Sequence, residues 1–544
     1  MSTTPAEASL AGAAVTQAPP SGTNRRRAAW AVLITGLALF MASLDNLVVT
    51  TALPVIRVHL HAGLAGLEWT VNAYTLTFAV LLLSAAAFGE RFGRRRVFVA
   101  GIAVFTLSSA AAALAPNIGF LVAARALQGA GGAMIMPLSL TLLSAAVPPE
   151  RRNAALGIWG AIGGAAVALG PLVGGAVTSG WSWHYIFWLN VPVGLLLIPL
   201  AWWKLAESRG SQTRLDLIGV LFVSTGLFGV VLGLVRGNAH GWTSTGVLAS
   251  FAVGVVMLSA FAWRELRIDF PMLNLRMFKN REFAAVNVTA MLFSFGMFGS
   301  IFFLSQFLQT VQGYSPLAAG LRVLPWTGMP MLLAPIVGML AERWGGKPLV
   351  ATGLGLQVVG LTWLATLITP TTPYIDMVPA FVVAGLGMTL FFVPLASLVL
   401  GAVPRALEGV ASGTNAAFRE LGGVFGIAVL GAVFSSSGGY ASAQSYVSGL
   451  RPATYVGAAV VAAGVLTALM VPGRRLVQAR LAAAAEASSK PLGVPEAQLL
   501  IEMASPAGRL STPPPDATLV DSGDGGLLEA VGSTGVMVTA PTDS

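Results

Sequence analysis

Residues 89–96 read Gly-Glu-Arg-Phe-Gly-Arg-Arg-Arg and join two long apolar runs. The tetrad Glu-Arg-Phe-Gly that begins at Glu90 returns 252 positions later as Glu-Arg-Trp-Gly, beginning at Glu342. Eight apolar runs lie between the two copies, and an even number of crossings returns the chain to the same face of a membrane. The pattern therefore predicts two similar halves in parallel orientation, with a period too long for a soluble solenoid.

The composition of the chain is that of a membrane protein. Of 544 residues, 55% are hydrophobic and 10% are charged, against about 25% charged residues in an average soluble domain. The net charge of +9 lies in short segments between apolar runs, so it is not evidence for nucleic-acid binding. The absence of Cys and the four scattered His exclude disulfides, thiolate catalysis and recognisable metal sites. With no phosphate-binding loop and no Ser/His/Asp set, we expect neither an ATP-driven pump nor an enzyme.

The body of the chain divides into fourteen apolar runs, each about 20 residues long, which predicts transmembrane helices. Barrel strands would be about half as long and alternate in polarity. The predicted spans are 29–52, 67–88, 97–115, 118–146, 154–178, 185–203, 216–235, 244–263, 283–309, 317–340, 348–368, 375–399, 408–434 and 454–472.

The basic residues set the orientation of these spans. With both termini inside, the inner segments between residues 28 and 475 carry 19 Lys or Arg and the outer loops carry three. This asymmetry predicts cytoplasmic termini in the plasma (inner) membrane. We predict a disordered N-terminal tail, a six-helix half, an inserted helix pair, a second six-helix half and a disordered C-terminal tail, at residues 1–27, 28–205, 206–265, 266–475 and 476–544.

The repeated loop is a candidate conformational latch. Its glycines allow a tight turn, and its charged groups can pair with each other and with helix ends. A plain basic connector would explain the arginines but not the repeat. The latch residues are Glu90, Arg91, Gly93 and Arg94, with Glu342, Arg343 and Gly345 in the second copy.

Three charged residues within predicted spans are candidates for proton coupling. Asp45 in span 1 and Arg125 in span 4 lie at similar depth, about 13 Å and 12 Å from the outer ends of their spans. Each is costly alone in a membrane, so we predict that they interact directly or through water. Glu420 in span 13 lies near the midplane, where it could carry a proton or simply pair with Arg419.

Two further sets of residues suggest helix packing and a substrate cavity. Span 5 carries Pro171, which would kink the helix, among small residues that allow close packing, namely Gly157, Gly170 and Gly174. Span 9 is rich in aromatic residues, which suit either a drug cavity or contact with lipid. The candidates for lining a substrate cavity are Asn72, Tyr74, Gln128, Phe302, Gln306, Gln309 and Asn415.

Several of these segments resemble signatures of the major facilitator superfamily. The 89–96 loop is similar to its span 2–3 signature, with Ala86 and Glu90 in place of a Gly and an Asp. The runs that begin at Arg125 and Gly157 resemble its span-4 motif and its antiporter motif. The segments 44–54, 69–74, 186–192 and 411–415 occur in the order seen in its fourteen-span drug:proton antiporter family. The resemblance covers about residues 28–475.

The resemblance implies a proton-coupled exporter of drugs or antibiotics that works by alternating access. It needs no cofactor beyond the proton motive force. Asp45 and Glu420 would bind the proton, and Arg125 would adjust the proton affinity of Asp45. The expected partners are a small-molecule drug, protons and the lipid bilayer, without nucleic acid or an obligate protein partner. Export of a siderophore, amino acid or lipid-like metabolite is an alternative, and a membrane sensor or scaffold without transport is another.

Overall fold

The computed structural model describes residues 22–209, 216–268, 271, 273–403, 407–471, 530–531 and 537–538. Most of the two predicted tails, 1–27 and 476–544, therefore lies outside the described residues. Between residues 22 and 471 the described chain forms sixteen α-helices and one short 3-10 helix, at Leu275–Lys279. In the C-terminal unit, β1 (Ala530–Val531) pairs antiparallel with β2 (Met537–Val538).

The helices follow the apolar runs of the sequence. Inside a membrane, the backbone N–H and C=O groups of such a run can all be hydrogen-bonded within the run only when it is a helix. In chain order they are α1 (Gly22–His59), α2 (Leu64–Phe92), α3 (Arg94–Ala113), α4 (Ile118–Ala146), α5 (Pro149–Gly180), α6 (His184–Trp188), α7 (Asn190–Lys204), α8 (Leu217–His240), α9 (Thr245–Glu265), α10 (Arg281–Thr310), α11 (Pro316–Thr327), α12 (Met329–Trp344), α13 (Gly346–Leu367), α14 (Tyr374–Gly401), α15 (Glu408–Ser437) and α16 (Ala443–Leu469).

Twelve helical segments in the described part are long and apolar enough to cross a membrane. A further pair, Leu64–Leu82 and Ser84–Phe92 within α2, is bent by 52° and adds a thirteenth if it is one span. The described part of residues 22–471 is thus helical, and the chain is a multi-pass membrane protein.

The predicted spans 185–203 and 317–340 are confirmed as single segments long and apolar enough to cross a membrane, His184–Lys204 and Pro316–Trp344. A short break within each separates α6 from α7 and α11 from α12. In α12, Pro330 lies in the first turn, where its missing N–H is tolerated and its fixed φ suits a new helix. The prediction also ends span 1 near Pro54, whereas α1 continues to His59.

The turn between α2 and α3 and the turn between α12 and α13 have the same local geometry. Gly93 has φ 109° and Gly345 has φ 84°, a left-handed region that glycine adopts with little strain. In each case the glycine N–H donates to a carbonyl four residues earlier, in Gly89 and Ala341. The repeated tetrad is therefore a repeated structure as well as a repeated sequence.

We call the end of the bundle that carries the α2–α3 turn the Arg94 end, and the opposite end the Pro54 end. Glycines bring helices together along the bundle between these ends. A Cβ on Gly170 of α5 would lie 2.6 Å from Cβ of Leu47 in α1, and one on Gly175 would lie 2.8 Å from Cα of Leu317 in α11. Consequently α5 packs between α1, from the first predicted half, and α11, from the second.

Helix α8 packs against one helix from each predicted half. Leu227 and Val231 of α8 share an apolar cluster with residues of α2 and α15. Near the Pro54 end, Nδ2 of Asn238 in α8 donates to Oγ of Ser435 in α15 at 2.7 Å. The inserted pair α8–α9 thus contacts both α2 and α15 through α8.

Candidate functional site

The centre of the candidate site is Asp45 of α1, which is 3% exposed. Its carboxylate forms an ion pair with the guanidinium of Arg125 from α4, and both side chains are buried. The structure therefore contains the direct contact that their similar depths predict. Oδ1 of Asp45 also accepts hydrogen bonds of 2.8 Å from Nε2 of Gln128 and from Nδ2 of Asn190. The charge of a carboxylate inside the bundle is thus compensated from two helices, α4 and α7.

A second layer of contacts fixes these partners. Ser109 of α3 accepts hydrogen bonds from Gln128 at 3.1 Å and from Asn190 at 3.0 Å. Nε of Arg125 donates to the Thr70 carbonyl at 3.1 Å, and its guanidinium lies 4.3 Å from the ring centroid of Tyr74. Such a network holds both charges in one geometry, so a change in protonation at its centre would change several helix contacts.

Two members of this network, Asn190 and Ser109, are absent from the residues that the sequence pointed to as site candidates. Asn190 lies in the 186–192 segment that carries the family resemblance, so that segment held a usable signal. Ser109 lies in an Ala- and Ser-rich stretch of α3, where nothing in the sequence separates it from Ser108.

Glu420 of α15 lines a narrow cavity of about 10 Å³, room for about one water molecule, between α1, α2, α10 and α15. One carboxylate oxygen, Oε2, is buried without a hydrogen-bond partner. The neighbouring Arg419 turns to the ring of Phe392, 5.5 Å from its centroid, and forms no ion pair with Glu420. The other cavity-lining residues are Asn46, Leu47, Thr50, Val71, Thr75, Phe298, Ile301, Gly423 and Ile427.

None of the seven predicted cavity candidates is among these lining residues. Three of them come from the first predicted half. Gln128 and Tyr74 belong to the Asp45 network. Asn72 is fully buried, and neither its side-chain oxygen nor its nitrogen has a hydrogen-bond partner.

Of the other four candidates, from the second predicted half, Phe302 is buried beside its neighbour on α10, and the three polar residues contact other elements. Phe302 packs edge-on against Phe303. Gln306 accepts a hydrogen bond from Tyr440 at 2.6 Å, Gln309 donates to the Thr51 carbonyl at 2.8 Å, and Asn415 donates to Asn287 at 3.2 Å. All of the candidates except Gln128 lie on helices that line the cavity, but on faces that do not meet it.

The predicted latch at the Arg94 end is an ion-paired cluster. Glu90 pairs with Arg94 at 2.7 Å, one helical turn apart across the Gly93 turn. Glu207, just beyond α7, accepts a hydrogen bond from the backbone N–H of Arg95 at 3.0 Å. A Cβ on Gly93 would lie 2.9 Å from the Glu207 carboxyl group. Glu207 thus belongs to this cluster, and nothing in the sequence pointed to it, because it lies 114 positions from Gly93.

The remaining predicted latch residues lie in the same two turns. Arg91 extends over the ring of Phe92, 5.2 Å from its centroid. Glu342 and Arg343 occupy the last turn of α12, directly before Gly345. Beyond that turn, Nζ of Lys347 donates to the Leu469 carbonyl at 2.7 Å, which ties α13 to the end of α16.

The small residues of α5 pack against the helix that carries Asp45. A Cβ on Gly174 would lie 2.6 Å from the Val48 carbonyl oxygen in α1. The carbonyl group of Pro171 lies against Gly320 of α11, where a Cβ would be 2.9 Å from the Pro171 carbonyl carbon. Gly157 lies nearer the start of the same helix. The small residues of α5 thus allow α1, from the first predicted half, and α11, from the second, to pack closely against the same helix.

Comparisons with known proteins agree with this architecture. Residues 35–427 match the Major Facilitator Superfamily. The chain is 34% identical over 470 residues to the tetracenomycin C resistance and export protein of Streptomyces glaucescens, a match that covers 85% of this chain and 87% of that protein. It is 35% identical over 429 residues to the methylenomycin A resistance protein of Streptomyces coelicolor, which covers 78% of this chain and 90% of that protein.

The fold is also that of a solved transporter. A bacterial homologue of the human lysosomal transporter Spinster, in an inward-facing and unoccupied conformation, aligns with a TM-score of 0.58 at 16% identity. The alignment covers 82% of this chain and 98% of that one. The sequence match over most of the chain and the shared fold lead to one conclusion: this chain belongs to the major facilitator superfamily.

Proposed function

We propose that the chain exports drugs or antibiotics across the plasma membrane in exchange for protons. The observation that carries the proposal is the buried Asp45–Arg125 ion pair beside a central cavity that contains the second acid, Glu420. Relatives that cover most of the chain are named for resistance to, or export of, tetracenomycin C and methylenomycin A. A site lined by one carboxylate, three polar side chains and apolar residues suits an amphipathic organic compound, often a cation, once the cavity opens.

We further propose fourteen membrane passes with both termini in the cytoplasm. Twelve candidate spans, the bent helix α2 and the 32-residue helix α5 together make fourteen. In this arrangement the Arg94 end faces the cytoplasm, in accordance with its basic residues. The six helical passes of each half would then flank the α8–α9 pair.

In the proposed cycle, proton binding weakens the Asp45 network, and proton release, which is coupled to drug binding, restores it. Protonation of Asp45 removes the charge that holds Arg125, Gln128 and Asn190, so the packing of α1 against α4 and α7 changes. The two glycine turns at the Arg94 end then favour one or the other orientation of the halves. A drug in the cavity contacts Glu420 directly. Asp45 does not contact the drug but acts through its contacts with α4 and α7.

Transport into inside-out vesicles tests this function. An imposed pH gradient, acidic inside the vesicle, should drive uptake of drugs from a panel that also contains a siderophore, amino acids and a lipid-like metabolite. The Asp45→Asn variant keeps the size of the side chain but cannot release a proton, so it should lose gradient-driven uptake while equilibrium binding of a neutral drug persists. Asp376→Asn, at an exposed position in the first turn of α14, is the matched control.

The outcomes separate the candidate functions. Uptake confined to a metabolite would replace the drug-export proposal with the metabolite alternative. Gradient-driven uptake of every compound at the wild-type rate by Asp45→Asn would remove Asp45 as the carrier. No uptake of any compound by the wild-type protein would favour a sensor or scaffold.

A further inference from the structure

A further buried acid lies at the Pro54 end, outside the Asp45 network and the Glu420 cavity. Glu68, the fifth residue of α2, is 2% exposed. Its carboxyl group lies directly against Gly431 of α15, where an added Cβ would come 2.7 Å from the carboxyl carbon of Glu68. The contact joins a helix of the first predicted half to a helix of the second.

The Glu68 carboxyl group forms no hydrogen bond and no ion pair with any other residue in the part of the chain that the structure describes. A charge without a partner at a buried position in a membrane protein is strongly unfavourable. The carboxyl group therefore fits this position as a neutral acid. The absence of a Cβ at Gly431 provides the space that it occupies.

The charged and titratable groups around Glu68 are already engaged or turned away. Arg57 of α1 lies over the ring of Tyr440, 3.7 Å from the centroid. Burial raises the pKa of Tyr440, which lies between α15 and α16, so its hydroxyl stays protonated and donates to Gln306. On the other elements that pack against α2, Arg125 of α4 pairs with Asp45, Arg236 of α8 is exposed, and Glu420 lies eleven residues from Gly431 along α15.

The two halves touch at the same end through three further contacts. Gln309 of α10 donates to the Thr51 carbonyl of α1 at 2.8 Å, and the Leu317 N–H of α11 donates to Ser179 of α5 at 3.0 Å. Ser305 of α10 donates to the carbonyl of the residue before Thr51 at 3.3 Å. The Pro54 end is therefore closed in this structure, and Glu68 lies within the closed contact.

We infer that Glu68 is a proton-sensing residue that makes closure of the Pro54 end depend on pH. When the halves close, the carboxyl group is enclosed against Gly431 and must be neutral. When they separate, water reaches the group and it ionises. Because the closed form binds this proton and the open form releases it, acid favours closure and a rise in pH favours opening. The inference rests on the proposed alternating-access function.

The proton at Glu68 is not a transported proton in this scheme. It binds and leaves from the Pro54 side, which we propose faces outward, so it senses external pH. External acid would return the empty protein to the form that is open at the Arg94 end. Asp45 and Glu420 remain the candidates for the coupled proton.

The test is a distance measurement across the Pro54 end. The chain has no Cys, so Val58→Cys in α1 and Ile375→Cys in α14 place two spin labels on exposed positions of different halves. We expect the long-distance population of the otherwise wild-type protein to grow as pH rises. In Glu68→Gln, which keeps the size and cannot ionise, we expect the short distance at every pH. An unchanged pH response in Glu68→Gln would overturn the inference.

A second pair of variants covers the case in which Glu68→Gln does not fold. Gly431→Ala places a methyl group against the carboxyl group and should shift the population toward the long distance. Adding Glu68→Ala removes the obstacle and should restore closure, but without pH dependence. Failure of this rescue would contradict the contact. The distance measurement does not depend on transport. Closure that depends on pH in a protein that exports nothing would overturn only the proposed function. Export by a protein whose closure does not depend on pH would overturn only this inference.

Discussion

The side-chain nitrogen of Asn190 in α7 donates a 2.8 Å hydrogen bond to Oδ1 of Asp45 in α1, between residues 145 positions apart. Hydrogen bonds to a charged group contribute about 1.5–3 kcal/mol. This contact favours the ionised carboxylate over the neutral acid, because the amide nitrogen can only donate. Asn190 is therefore a positioning residue for the candidate proton site.

In Asn190→Ala, loss of this donor weakens the network around the Asp45 carboxylate, and we expect the pH profile of drug transport to shift. Transport assays in vesicles between pH 5 and 9 would measure the shift. Asn117→Ala, which removes the N-cap of α4 at an exposed position, should lower stability without moving the profile. Identical profiles for the Asn190 variant and the wild type would show that the contact is only structural.

The carboxylate of Glu420 in the cavity predicts selectivity for charge. Glu420→Gln removes the one acidic side chain among the residues that line this cavity, so we expect at least a tenfold loss of affinity for cationic drugs, equivalent to about 1.4 kcal/mol. Neutral drugs should bind as before. Equilibrium binding of a matched cationic and neutral pair measures this, with Asp376→Asn as the control. Equal losses for both drugs would mean that the variant disturbs the cavity as a whole.

The latch at the Arg94 end can be tested through Gly93. Gly93→Ala adds a backbone strain of about 1–2 kcal/mol at φ 109° and a clash with Glu207. We expect slower transport with drug binding retained. Gly241→Ala is the matched control, because Gly241 has φ 84° but no atom within 4 Å of the added Cβ.

The difference between the two glycine variants isolates the contact with Glu207. Glu207→Ala should partly restore transport to Gly93→Ala, since it removes the group that the new methyl meets. If Gly93→Ala and Gly241→Ala slowed transport equally, backbone strain alone would explain the effect.

The packing of α5 predicts a difference in stability between two of its glycines. Gly175→Ala places a methyl 2.8 Å from Cα of Leu317 in α11, and overpacking of this kind costs about 1–3 kcal/mol. Gly180→Ala, at the end of the same helix, meets nothing within 4 Å. Thermal unfolding in detergent should show a lower midpoint for the first variant only. Equal midpoints would argue against close packing of α5 and α11.

The proposed orientation predicts the location of the two repeated turns. Reporter domains fused after Arg95 and after Arg343 should both be active on the cytoplasmic side, because the basic segments stay on that side. A fusion after His61, between α1 and α2, is the control for the opposite side. External activity at either basic turn would contradict the fourteen-pass arrangement.

The sequence by itself determined the features that depend on local composition. Apolar runs of about 20 residues, interrupted by basic segments, specify helices that cross a membrane, because backbone hydrogen bonds can be satisfied there only within each helix. The repeated Glu-Arg-x-Gly tetrad predicted the two equivalent glycine turns. The cost of an isolated charge in a membrane, the similar depths of the two residues and the resemblance to the superfamily together predicted the pairing of Asp45 with Arg125.

Only the tertiary structure decided which side chains meet across long distances in the chain. Glu207 joins the latch, and Asn190 and Ser109 join the Asp45 network, because helix packing brings their faces together. The same packing buried Phe302 in the core, placed Gln306 against Tyr440 and left Glu420 at the cavity. Hydrophobicity is a property of each segment, whereas the rotation of a helix about its axis depends on every neighbour that it packs against. Glu68 became notable only when α15 placed Gly431 against it.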